Sequence, residues 1–213
     1  KYLTSHVQPD KLKRSFISPH QSFPQLRLMI LAEIENCKNG LPSGIWLKCN
    51  SLVDHRLIEL LYEASQAGVP IEIVARGICC LRPGVAGLSE TITVRSIIGR
   101  FLEHGRIYVF ANGGEFLSDK NIVMISSADL MPRNLRRRVE CFMRLENPTI
   151  RKQVLHQIMV ALLRDEKNAW YLQPDGSYVH PQTDETSFSC HEYFMSNPSL
   201  SGLGSLAGAQ DNG

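Results

Sequence analysis

Arg76 closes the run Pro70-Ile-Glu-Ile-Val-Ala-Arg76, and His104 closes Phe101-Leu-Glu-His104, just ahead of Gly105-Arg106. Both sit where a short apolar segment meets a glycine-containing turn, which is where α/β folds gather their ligands. The planar fork of an arginine grips phosphate oxygens two at a time. A histidine titrates near neutrality and can share a proton with a phosphoryl oxygen or attack phosphorus. If His104 and Arg106 are both extended, their side chains share one face, a base or nucleophile beside a cation. Together these residues point to phosphoryl chemistry. The plainer alternatives are a structural salt bridge for Arg76 and a strand-end histidine bonded to a neighbouring carbonyl for His104.

A second group is Ser126-Ser127-Ala-Asp129-Leu-Met-Pro-Arg133-Asn134, followed by Arg136-Arg137-Arg138. Ser, Asp and Asn at a strand-to-loop junction can orient a histidine, cap a helix or donate to phosphate. The arginines from 133 to 138 cannot all face one ligand, so one or two are expected to pair with acids such as Glu140 or Glu146. Lys48 and Asn50 end another strand, on what is expected to be the same rim. His55, His156, His180 and His191 show no convincing partners and read as surface or packing residues. The sequence contains no Walker-type phosphate loop, HExxH, GxSxG or paired-cysteine metal pattern.

These residues need a scaffold. Leu26, Ile30, Ile34 and Cys37 recur at helical spacing after Pro24 and stop at Asn39-Gly40. Gly44–Cys49 reads as a strand. A helix with Leu57, Leu60, Leu61 and Ala64 on one face follows, ended by Gly68 and Pro70. Ile71–Ala75, almost continuously apolar, suits a sheet buried on both faces. Further strands are expected at Thr91–Arg95, Arg106–Ala111, Ile122–Ser126 and Val139–Leu145. Asn147-Pro148 starts a last long helix with Ile150, Val154, Leu155, Ile158, Met159 and Leu162 as its apolar stripe. Residues 169–180 form a small hairpin around Pro174-Asp-Gly176. The pattern predicts an α/β fold, a mixed β-sheet flanked by helices. Residues 1–21 read as a connecting segment, 22–181 as the folded domain and the Ser-, Gly- and Asn-rich 182–213 as a flexible tail.

The overall charge of +2 hides an uneven distribution. Arg76 to Arg138 holds nine Arg and one Lys against five acids, a net +5, while the remaining residues carry −3. A stretch made basic almost wholly by arginine favours a phosphate-rich ligand over a merely solvated face. No apolar run reaches the ~20 residues that span a bilayer. The six cysteines lack metal-ligand spacing. Cys37, Cys49 and Cys141 lie in apolar stretches, so buried reduced thiols in a cytoplasmic protein are expected.

Several ordered blocks then carry a resemblance. Lys48-Cys-Asn-Ser-Leu-Val-Asp54, Leu61-Tyr-Glu-Ala-Ser-Gln-Ala-Gly68, Arg76-Gly-Ile-Cys-Cys-Leu-Arg-Pro-Gly84, Arg95-Ser-Ile-Ile-Gly-Arg-Phe-Leu-Glu-His104 and Ser126-Ser-Ala-Asp-Leu-Met-Pro-Arg-Asn134 resemble, in this order, the C-terminal part of the type 1 bacterial polyphosphate kinases. The match runs from about Leu26 to Arg164. One departure falls inside it: the family commonly has tryptophan where Leu130 stands. The resemblance implies a phospholipase D-like domain, the second of two around a tunnel-like active site. It implies reversible transfer of the terminal phosphate of ATP to polyphosphate through a phosphohistidine. Arg76 and His104 fall on the family's nucleotide-phosphate contacts, Arg106 is expected to bind the ATP or polyphosphate phosphates with them, and His104 is the expected catalytic residue. The phosphorylated histidine and the groups associated with Mg²⁺ are expected outside this chain, which is then a partial chain with no metal ligand of its own. The implied partners are ATP or ADP, inorganic polyphosphate, the N-terminal domains of the same enzyme and further copies in a homo-oligomer. Nucleic acid is not among them, and any membrane contact is peripheral. The competing readings are a phospholipase D-like phosphodiesterase or nuclease, and a non-catalytic polyanion-binding module.

Overall fold

A computed structural model describes residues 15–197. The chain's β-α-β start is β2 (Ile45–Cys49), α2 (His55–Gln66) and β3 (Ile71–Ala75), continued by β4 (Ile92–Ile97). β2, β3 and β4 are parallel neighbours at the middle of the sheet. The chain then reverses. β5 (Ile107–Phe110) runs antiparallel to β2, and β6 (Ile122–Ser126), β7 (Cys141–Arg144) and β1 (Ser15–Ile17) extend that side. β8 (Ala169–Leu172) and β9 (Tyr178–Val179) form the hairpin that completes the other side. The described strands form one nine-stranded sheet, mixed as the sequence predicts.

Strand alternation divides the core. Ile45, Leu47, Cys49, Ile71, Ile73, Tyr108 and Phe110 face one way, toward Leu26 and Ile30 of α1 (Ser22–Lys38) and Leu57 and Leu61 of α2. Ile107, Val109 and Val123 face the other way, against Leu155 and Met159. The carboxylate of Asp54, the N-cap of α2, accepts from Leu57 N at 3.3 Å, a cap worth about 1 kcal/mol.

The last long helix is composite. α4 (Pro148–Lys152) passes into a π-helical stretch, Gln153–Met159, and then into α5 (Val160–Arg164). The wider π turn rotates the expected stripe: Leu155, Met159 and Leu162 are buried, while Ile150 and Ile158 face solvent. Leu130 is fully buried in the main core. Among the described residues no helix is long and apolar enough to cross a membrane.

Both expected domain boundaries are corrected where the structure describes them. Ser15–Ile17 lies in the expected connecting segment yet pairs with β7, and Phe16 stacks on Phe142 with ring centroids 4.7 Å apart. Three residues are too few to show alternation. Cys190–Ser196, inside the expected flexible tail, is helix α6, packed through Cys190, Tyr193 and Phe194 against Val74, Ile97 and Leu162. Residues 1–14 and 198–213 of those two segments lie outside the described residues. Among the thiols, Cys49 and Cys190 are buried and Cys37 is half-buried, but Cys141 is exposed on β7, contrary to expectation.

Candidate functional site

Four strand ends meet at one rim. Asn50 and Ser51 follow β2, Arg76 follows β3, Arg106 precedes the antiparallel β5, and Ser127 and Asp129 follow β6. With α3 (Pro132–Arg136) they enclose a cleft of about 560 Å³, lined by Asn50, Ser51, Arg76, His104, Arg106, Ser127, Asp129, Arg133, Asn134, Arg138 and Glu140. All three residues expected at the site, Arg76, His104 and Arg106, therefore lie together.

Arg76 reaches across to the loop that carries His104. Its Nη1 donates to the Glu103 carbonyl at 2.9 Å and lies 3.3 Å from His104 Nδ1. A guanidinium only donates, so His104 Nδ1 accepts and the proton of the neutral ring sits on Nε2. The Asn50 amide lies within 3.3 Å of the same ring nitrogen. Arg76 thus sets the ring's tautomer as well as adding charge. His104 itself is exposed in the cleft.

Arg106, which also lines the cleft, is bonded to the site's own frame. Its Nε and Nη2 donate to the two oxygens of Asp129 at 3.3 and 2.9 Å, and its Nη1 donates to the His104 carbonyl at 3.0 Å. In the alternative amide orientation, in which the Asn50 oxygen replaces its nitrogen on this side, Nη2 and Nε donate to that oxygen at 2.6 and 3.0 Å. These bonds tie it to the frame of the site, while it still lines the cleft. Asp129 was legible only as a member of a strand-end motif. It also accepts from the backbone N–H groups of Asn50 and Ser51, at 2.8 and 3.3 Å. Burial pulls its carboxyl upward, but the bonds from Arg106 and Asn50 outweigh this and hold it below the usual carboxylate range.

Of the expected arginine cluster, Arg133 and Arg138 line the cleft, both exposed and without a carboxylate partner among the described residues. Arg136 turns away and pairs with Asp54 at 3.1 Å, not with Glu140 or Glu146 as anticipated. Glu140 instead accepts from Ser127 Oγ at 2.5 Å and Asn134 Nδ2 at 2.7 Å. Lys48 donates to the Gly105 carbonyl at 2.9 Å and pairs with Glu103 at 3.1 Å. Two histidines judged partnerless have partners. His180 Nε2 lies 3.0 Å from the Lys167 carbonyl oxygen. His191 is buried against the loop before His104. A usable signal for His191 was Ser189-Cys-His-Glu192, a capping-box spacing in which Ser189 Oγ accepts from Glu192 N at 3.3 Å.

Chemically, the cleft offers unneutralised guanidinium groups and an imidazole N–H presented on a braced loop, a suitable cradle for phosphate oxygens.

Comparison with known proteins agrees. Residues 15–190 match the family model for polyphosphate kinase C-terminal domain 2. The chain is 51% identical over 203 residues to a polyphosphate kinase of Erythrobacter litoralis, covering 95% of this chain and 28% of that protein. It is 46% identical over 195 residues to a polyphosphate kinase of Synechocystis, covering 91% of this chain and 26% of that one. The crystal structure of polyphosphate kinase from Porphyromonas gingivalis matches with a TM-score of 0.84 at 32% identity, over 96% of this chain and 30% of that one. This chain therefore spans less than a third of the length of these relatives.

Proposed function

The chain belongs to the polyphosphate kinase C-terminal domain family, and on that premise we propose that it supplies the phosphate-gripping half of a phosphotransfer site. The reaction is reversible transfer of the terminal phosphate of ATP to polyphosphate through a phosphohistidine, the nucleophile lying outside this chain. The meeting of Arg76, His104, Arg133 and Arg138 around one cleft carries this reading. Phosphoryl transfer places charge on three equatorial oxygens and asks the protein for positioning and neutralisation. Arg76, Arg133 and Arg138 supply the neutralising charge. His104 presents Nε2–H to a phosphoryl oxygen, and Arg106 with Asp129 holds the backbone on which His104 sits.

Family chemistry uses Mg²⁺. Among the described residues no group of three or more His, Cys, Asp or Glu side chains could hold a metal ion, and Asp129 is committed to Arg106. The described residues therefore do not fit such an ion, and no step here runs through one.

The test uses the full-length protein and ATP labelled at its terminal phosphate, with the product identified as polyphosphate by enzymatic digestion. His104→Ala should lower synthesis by about 10²-fold or more, the range of a lost acid/base group. Wild-type activity in that variant sinks the assignment. Hydrolysis of a simple phosphodiester, lost in the same variant, favours a phosphodiesterase instead.

A further inference from the structure

His104 sits on a loop with little core of its own. Ile98, Phe101 and Leu102 are exposed, Leu102 to 81%. A residue in such a loop keeps its place only through specific ties. Two lead to the cleft's own members, Arg76 to the Glu103 carbonyl and Arg106 to the His104 carbonyl, and a third runs from Lys48 of β2 to the Gly105 carbonyl. Another set leads to the opposite side, to the start of α6.

His191, only 2% exposed, is the centre of that second set. Its Nδ1 accepts from Phe101 N at 3.4 Å, and the Phe101 ring meets it edge-on with centroids 5.2 Å apart. Nδ1 is thereby the acceptor, so Nε2 carries the proton of the neutral ring. Nε2 is buried, has no hydrogen bond, and lies 3.6 Å from Glu103 Oε1. The other oxygen of Glu103 is paired with Lys48, whose side chain is 3% exposed. The residue next to His104 is therefore gripped from both sides, by a buried lysine of β2 and a buried histidine of α6. The fit is tight: a Cβ on Gly99 would fall 2.5 Å from His191 Nδ1. The grip is itself anchored. Asp165, 1% exposed, accepts from Cys190 N at 2.7 Å and Asn168 N at 2.6 Å, and the Asn168 carbonyl accepts from Ile98 N at 2.9 Å.

We propose that His191 is a positioning residue for the phosphotransfer site, acting through Glu103 to hold His104 in register with Arg76. The proposal rests on the functional reading above and extends it, because it makes α6 part of the working site. The 3.6 Å contact between His191 and Glu103 ties the loop to α6 on the side away from the cleft, opposing the ties to Arg76 and Arg106. A misplacement of about 1 Å at a reacting group can cost up to ~10²-fold in rate.

The experiment is a double-mutant cycle in the full-length protein, following polyphosphate synthesis and the KM for ATP. His191→Phe fills the space without reaching Glu103 and should lower kcat by about 10-fold, with thermal unfolding near that of the wild type. His191→Gln places an amide near the position of Nε2 and should stay within about 3-fold of wild type. In a Glu103→Gln background the further loss from His191→Phe should shrink to about 2-fold or less, since the two residues act as one unit. Losses that simply multiply, or a His191→Phe variant with wild-type kcat, overturn the proposal. If His191→Phe does not fold, His191→Asn against His191→Gln gives the same contrast, because asparagine does not reach Glu103. Amide hydrogen exchange over residues 98–105 is read in parallel. Should the wild type make no polyphosphate, the functional reading fails by itself. Faster exchange in His191→Phe then still supports the clamp, and unchanged exchange refutes it.

Discussion

Asp129 is where the site's order can be challenged most directly. Its carboxylate receives two bonds from Arg106 and two from backbone N–H groups. In Asp129→Ala, the Arg106 guanidinium, 12% exposed, and the N–H of Asn50 lose their acceptor together. A buried donor left unsatisfied costs about 1–3 kcal/mol, with charged groups at the upper end. The cleft is open to water, so part of the loss is recovered, and a total of about 3 kcal/mol is expected. At ~2–4 °C per kcal/mol for a chain of this size, Tm should fall by about 6–12 °C. Asp129→Asn keeps one acceptor oxygen but no charge and should fall by about half as much. The two variants also predict a pH signature. The folded-state pKa of Asp129 is depressed, so its contribution is present above the unfolded value of ~3.9. It is lost as the pH falls through the folded pKa. The stability gap between wild type and Asp129→Asn should therefore be full at neutral pH and close below about pH 4. Thermal melts followed by circular dichroism from pH 3 to 7 measure both. A gap that persists unchanged at pH 3, or an Asp129→Ala Tm within 2 °C of wild type, refutes the claim that this carboxylate holds Arg106.

Two other outcomes are accessible. Arg133→Gln and Arg138→Gln each remove an exposed cation, without a carboxylate partner among the described residues, from the cleft; in the full-length protein each should raise the KM for ATP or polyphosphate by about 3–10-fold, on the scale of ~1 kcal/mol for an exposed charge contact, and an unchanged KM in both removes them from the ligand path. The thiols should separate by exposure: Cys80 and Cys141 should react first with a disulfide reagent at pH 8, whereas Cys49 and Cys190 are buried, and burial pushes the Cys79 thiol up to about 11. Mass spectrometry of labelled peptides gives the order, and early labelling at Cys49 contradicts the packing described.

The central strands and the residues at their ends were legible because each signal is local. Ile71–Ala75 and Ile122–Ser126 are short apolar runs bounded by turns, and their ends became the rim of the cleft. What the sequence hid is long-range pairing. Arg106 and Asp129 are 23 positions apart, and Arg136 meets Asp54 across 82. Nothing in local composition distinguishes a guanidinium that will grip a ligand from one that will be consumed by a carboxylate. Composition actively misled at α6, where the Ser- and Asn-rich surroundings outweighed a seven-residue apolar turn with its own cap.

The basic stretch shows why charge in sequence and charge in a site differ. Arg76 to Arg138 carries a net +5, but that count ignores acids arriving from elsewhere. Glu72 takes Arg95, and Asp54 takes Arg136. Within the stretch itself, Asp129 takes Arg106. Each pairing removes a cation from the ligand's field and adds rigidity to the frame. Among the arginines lining the cleft, those without a carboxylate partner among the described residues are Arg76, Arg133 and Arg138, contributed by the end of β3 and the segment after β6. In an open cleft with low-dielectric walls, three such groups concentrate a field that the same charges scattered over a surface could not. The paired arginines fix where the unpaired ones stand, and this division of labour gives a chain of nearly neutral total charge a locally cationic cleft.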